Sequence, residues 1–133
     1  MDATHDPRLT SWVASANGHP DFPIQNLPHG VFSPPGGAKR GGVAIGNAIL
    51  DLGAALPLLP AEVRAAVEAA AQPTLNAFFD MGPGPRRALR AALSALLATG
   101  NRTDPAALAG LLREASACAM HVPCAIGDYT DFF

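Results

Sequence analysis

Residues 42–53 read GVAIGNAILDLG. Val43, Ile45, Ile49, Leu50 and Leu52 are β-favouring or apolar, glycines bound the run, and Gly46-Asn47 sits at its centre. Two apolar stretches around a glycine-containing pair make a hairpin, predicted as strands over 42–46 and 48–52. Short strands punctuated by glycine suit a small barrel or meander.

On the N-terminal side the chain is broken too often for a long helix. Gly18, Pro20, Pro23, Pro28 and Gly30 follow one another closely, and proline cannot sit inside a helix without losing a hydrogen bond. Val31-Phe32 is a brief extended candidate. Pro34, Pro35, Gly36 and Gly37 open a loop predicted to run through Lys39-Arg40-Gly41-Gly42. Neither glycine pair fits a phosphate-cradling pattern, and a strand follows where such a loop needs a helix.

On the C-terminal side, residues 58–115 are rich in alanine and leucine with helical spacing. Val63 and Val67 repeat at four. Leu75, Phe78 and Phe79 fall at i, i+3, i+4, and Leu89, Leu93, Leu96 and Leu97 at i, i+4, i+7, i+8. Leu108, Leu111, Leu112 and Ala115 form a fourth stripe. Pro60 suits a first helical turn, Gly100 a C-terminal cap for a helix over 85–99, and Asp104-Pro105 an N-cap followed by proline. Three or four short helices are predicted. Residues 116–133 carry no stripe, and a strand is predicted near 118–122. The class is α+β.

Composition sets outer bounds. The 133 residues suffice for one domain, and 49% hydrophobic with 15% charged residues excludes a fully disordered chain. A net charge of -2 gives no basic field for nucleic acid. No stretch approaches the roughly 18 apolar residues of a membrane span, and the polar start MDATHDPRLT is unlike a signal peptide. Cys118 and Cys124 read as reduced thiols in a cytoplasmic protein, too far apart and too few for zinc.

Candidate functional residues are sparse. Asp128 and Asp131, three apart in GDYTDFF, could offer oxygens to a hard cation, but two carboxylates do not complete such a site. His121 has no acidic neighbour to orient it as a base and reads as a core residue. Arg86, Arg87, Arg90, Arg102 and Arg113 face only Asp104 across 86–113, the pattern of a solvated helical face or of one that binds an acidic partner; the rival reading of the chain is a non-enzymatic regulatory or partner-binding module that docks on intact subunits through this face.

Four strings occur in order: SWVASANGHPDFPIQNLPHGVF (11–32), GVAIGNAILDL (42–52), LNAFFDMG (75–82) and MHVPCAIGDYTDFF (120–133). Together they resemble the N-terminal part of the fumarylacetoacetase family. The resemblance implies an SH3-like β-barrel with a helical insertion over 1–127, with 128–133 opening a larger catalytic domain that also pairs two subunits. It implies hydrolysis of the carbon–carbon bond of 4-fumarylacetoacetate to fumarate and acetoacetate in tyrosine and phenylalanine breakdown. A histidine and a glutamate activate water there, and calcium or magnesium grips the diketone. Carried over by motif, Asp131 matches a metal ligand, and Phe133 stands where the family has a substrate-contacting tyrosine, without its hydroxyl. No catalytic residue of the family falls within this chain, and His121 lies upstream of the base. His29 stands where phenylalanine is usual and Asn47 where aspartate is usual; both are expected to affect only packing and turn chemistry. With one carboxylate of the cage, the chain alone is expected to be inactive and to hold no cation.

Overall fold

The structure, a computed structural model, describes residues 2–101 and 103–122. Five antiparallel strands form one sheet: β1 His29–Ser33, β2 Arg40–Ile45, β3 Ala48–Asp51, β4 Leu112–Glu114 and β5 Ala119–His121, in the order β4-β3-β2-β1-β5. Between β3 and β4 come α1 Leu52–Ala55, α2 Arg64–Ala70, α3 Asn76–Asp80, α4 Pro83–Leu97 and α5 Pro105–Ala109.

The connection from β4 to β5 shows why the sheet curls. These are the two edge strands, separated by about 19 Å in a flat five-stranded sheet. They are joined only through a 3₁₀ turn, Ala115–Ala117, and Cys118. Such a turn advances about 2 Å per residue. The edges can be linked this way only if the sheet rolls into the half-barrel that carries the helical insertion. The small barrel is thereby present.

The predicted hairpin is there, with Ile45 opposite Ala48 across Gly46-Asn47. Gly46 has φ +57 while Asn47 stays on the negative side, the pattern of a II′ turn. The predicted boundaries shift in three places. The loop expected to reach Gly42 ends earlier, because Arg40, Gly41 and Gly42 already pair with Phe32, Val31 and Gly30. Leu52 starts a helix. The fourth apolar stripe is not a helix throughout: α5 ends at Ala109, and Leu112–Glu114 pairs with β3, setting Leu112 against Leu50. Gly110 follows the last helical residue, and strand pairing decides the rest.

The helices cover one face of the sheet. Leu89, Leu93, Leu96 and Leu97 of α4 are all buried in one core with Val43, Ile45 and Leu50. Each buried leucine contributes about 1.5–3 kcal/mol. Phe79, expected on the buried stripe, is 42% exposed, whereas Leu75 and Phe78 are buried. α2 approaches β2 so closely that a Cβ on Gly41 would lie 1.6 Å from the Ala70 carbonyl oxygen. Only glycine fits there, and its N–H donates to the Ala71 carbonyl at 3.0 Å.

α4 ends at Leu97, and Gly100 (φ +88) lies in the turn beyond rather than capping it. The cap comes from the N-terminal segment. Trp12 Nε1–H donates to the Leu96 carbonyl at 2.9 Å and Ser11 Oγ–H to the Leu97 carbonyl at 2.6 Å, filling carbonyls that a helix end leaves open. α5 follows the predicted signal, with the Asp104 carboxylate accepting from the Ala106 N–H at 3.2 Å.

Candidate functional site

Strand pairing sorts residues onto two faces. Gly42 lies opposite Gly30 and Asp51, Ala44 opposite Ile49, and Phe32 opposite Arg40 and Met120. These residues share the face turned away from Val43 and Leu50. Three of them, Gly30, Gly42 and Ala44, have little or no side chain, so the face is hollow. The result is an apolar trough of about 360 Å³ floored by those small residues and flanked by Phe22, Ile49 and Met120. That volume lies at the small end of the ligand-pocket range. The small residues at 42, 44 and 46 are spaced by two, a strand-face signal present in the sequence but not singled out from it.

His29 lies at the edge of this trough and against Phe78, with ring centroids 4.7 Å apart. Its Nδ1 is buried with no hydrogen-bond partner. Burial, with a smaller push from the Arg90 cation, lowers its pKa from the usual histidine value to about 4. The ring is neutral at pH 7 and ill-suited to general base work near neutrality. The expectation of packing alone at this position is therefore incomplete, because the residue also carries a pH-dependent cost.

Asn47 completes a turn clamp. His19 Nδ1 accepts from the N–H groups of Asp21 (3.1 Å) and Phe22 (2.9 Å), which leaves the ring proton on Nε2 to be donated to Asn47 Oδ1 at 3.1 Å. His121 Nε2 lies 2.8 Å from Ser33 Oγ across β1 and β5, so the ring is satisfied, but it is half-buried on an edge strand rather than in the core.

Among the described residues, the arginines serve different elements. Arg90 is spent on structure: it donates to Thr4 Oγ1 (2.8 Å), the Asn26 carbonyl (2.7 Å) and the Gln25 carbonyl, tying α4 to two loops. Arg113 sits on β4, and with Arg40 it flanks the buried carboxylate of Asp51 at 3.4 and 3.1 Å. The Arg40 Nε–H is not aligned for a hydrogen bond, so that contact is an ion pair only. Arg102 lies outside the described residues. Among the described residues, Arg86 and Arg87 remain exposed on α4, while Arg90 and Arg113 are engaged within the domain.

Asp128, Asp131, Phe133 and Cys124 lie outside the described residues. Cys118 is a partly buried free thiol. Among the described residues, no three of His, Cys, Asp and Glu converge into a cation cage, and this part of the chain does not fit a resident metal. No helix among them is long and apolar enough to cross a membrane.

Comparison with known proteins assigns this barrel with its helical insertion. A family profile described as fumarylacetoacetase N-terminal matches residues 25–123. The chain belongs to that family. Fumarylacetoacetase of Rattus norvegicus is 40% identical over 118 residues, which are 85% of this chain and 28% of the rat protein. The Arabidopsis thaliana enzyme is 37% identical over 118 residues, 84% of this chain and 28% of its own length. The Oryza sativa enzyme is 39% identical over 134 aligned positions, 94% of this chain and 31% of its own length. The chain thus spans about 28–31% of the length of these fumarylacetoacetases, and is the N-terminal domain of a fumarylacetoacetase-family protein.

Proposed function

We propose that this domain serves an enzyme that hydrolyses the carbon–carbon bond of 4-fumarylacetoacetate, releasing fumarate and acetoacetate in tyrosine and phenylalanine breakdown. The observation that carries this reading is the 40% identity to rat fumarylacetoacetase over 85% of the chain.

Finer assignments go with it. Residues 1–127 make up the amino-terminal domain, and 128–133 begin the catalytic one. Asp131 offers one carboxylate to calcium or magnesium, and Phe133 faces substrate with a ring but no hydroxyl. Subunits pair through the catalytic domain, and the enzyme is cytoplasmic. Breaking the bond leaves a carbanion that must be spread as an enolate, which calls for a hard cation in an oxygen cage. We assign that chemistry to the catalytic portion, to which Asp131 would belong. The domain's own contribution is structural, and alone it is inactive.

The test replaces the amino-terminal stretch of the rat enzyme that matches this chain with the full 133-residue chain. The hybrid is expected to consume 4-fumarylacetoacetate, read as loss of its absorbance, while the 133-residue chain with excess calcium does not. Turnover by the chain alone, or a folded hybrid with none, overturns the reading.

A further inference from the structure

We infer that the apolar trough is the seat on which the catalytic portion of a fumarylacetoacetase rests, with one of its large apolar side chains set over Gly42 and Ala44. This rests on the function proposed above, and names a partner surface for it.

The trough is open although the opposite face of the same strands is packed. Among the described residues, the exposed large apolar side chains are Phe79 at 42%, Met120 at 62% and Val122 at 59%. Two of the three lie on or just after β5, beside the trough. A Cβ built on Gly30 would meet Met120 Cε at 3.5 Å, so Met120 lies over the floor as a flexible rim. Among the described residues, β5 is moreover a sheet edge, paired with β1 alone. Exposed apolar surface beside an unpaired strand is the kind that natural proteins cover.

The occupant follows from the relatives. The family profile names this stretch as amino-terminal, and the rat, Arabidopsis and rice enzymes are each more than three times as long as the stretch matched. In those proteins a long polypeptide continues beyond the position of β5, which forms the trough's rim. Chain continuity holds that polypeptide at high effective concentration next to the apolar face, so modest contact area suffices to keep it there. The lining is nearly all apolar, which favours side chains of that character over a charged small molecule.

The test compares the 133-residue chain with the rat hybrid described above, each with and without Met120→Glu. The probe is the uncharged environment-sensitive dye N-phenyl-1-naphthylamine. The chain alone is expected to bind dye in the trough, and Ala44→Glu to weaken that binding by about tenfold or more. The hybrid is expected to lose the site. Met120→Glu, at an exposed position, is expected to leave the melting temperature of the chain within about 2 °C and to lower that of the hybrid by about 5 °C or more.

Equal dye binding by chain and hybrid, or equal melting shifts in both, overturns the proposal. So does a dimer of the chain alone that Met120→Glu dissociates, since the occupant is then a second copy. If the hybrid does not fold, the rat portion beyond the matched stretch is titrated into the 133-residue chain. Micromolar binding lost in Met120→Glu supports the proposal; no binding overturns it. A hybrid that hydrolyses substrate yet still binds dye refutes the seat and keeps the function. An inactive hybrid with a covered trough does the reverse.

Discussion

The two faces of one small sheet are finished to different degrees. On the helix side, Val43, Ile45 and Leu50 are fully buried beneath α2 and α4. On the other side the same strands carry Gly42, Ala44 and, across the ladder, Gly30 around a cavity of about 360 Å³. Alternation along a strand sends successive residues to opposite faces, so one hairpin specifies both outcomes. The packed face makes a domain. The open face, with exposed Met120 beside it, marks the region that the side chains of the described residues leave uncovered.

The largest effect is expected where the packed face is tightest. Gly41→Val places carbon inside the contact with the Ala70 carbonyl and cannot be relieved by a side-chain turn, because the obstacle is backbone. A loss of about 4 kcal/mol or more, or failure to fold, is expected in urea unfolding. Near-normal stability would mean that α2 does not press on β2.

Asp51→Ala comes next. It removes the buried carboxylate between Arg40 and Arg113 and leaves both cations without it. Both arginines are about a third exposed, so the loss is expected near 2–3 kcal/mol, below the value for a fully buried pair. Replacing Asp51 together with both arginines by apolar residues should recover part of it.

His29→Phe sharpens the comparison at the boundary between the two faces. The folded-state pKa of about 4 lies below the ordinary histidine value of 6.5, so the unfolded chain binds the proton more readily. Stability is therefore full above about pH 6.5 and falls as pH drops toward 4, by up to about 3 kcal/mol from this group. His29→Phe should flatten that slope and raise the melting temperature at pH 5 more than at pH 7.5. Parallel melts at the two pH values check it, and an unchanged slope would show that the ring is hydrated in solution.

The smallest effect belongs on the open face. Ala44→Ser in the 133-residue chain should change stability by no more than about 0.5 kcal/mol, since that side chain faces the open trough among the described residues.

Much of this organisation was legible in the residues. Gly46-Asn47 between two β-favouring runs gave the hairpin, and the leucine spacing at 89, 93, 96 and 97 gave α4. Asp104-Pro105 placed the start of α5. What was hidden depended on distant partners. Leu112 continues an apolar helical stripe, yet β3 takes it as a strand, and spacing alone cannot weigh an available sheet edge against another helical turn. Gly41 looks like loop until α2 is seen resting on it. The trough needed the strand register, because small residues at 30, 42 and 44 share a face only once β1 and β2 are aligned. Asp131 and Phe133 entered through resemblance to the fumarylacetoacetase family, and they lie outside the described residues.

The asymmetry of the sheet is tested most directly by amide hydrogen exchange on the 133-residue chain and on the rat hybrid, compared strand by strand. The amides of Val43 and Ile45 are predicted to exchange slowly in both, and those of Ala119–His121 to exchange fast in the chain alone and slowly in the hybrid. Equal protection of Ala119–His121 in the two proteins, or fast exchange of β2 in the isolated chain, would contradict the account.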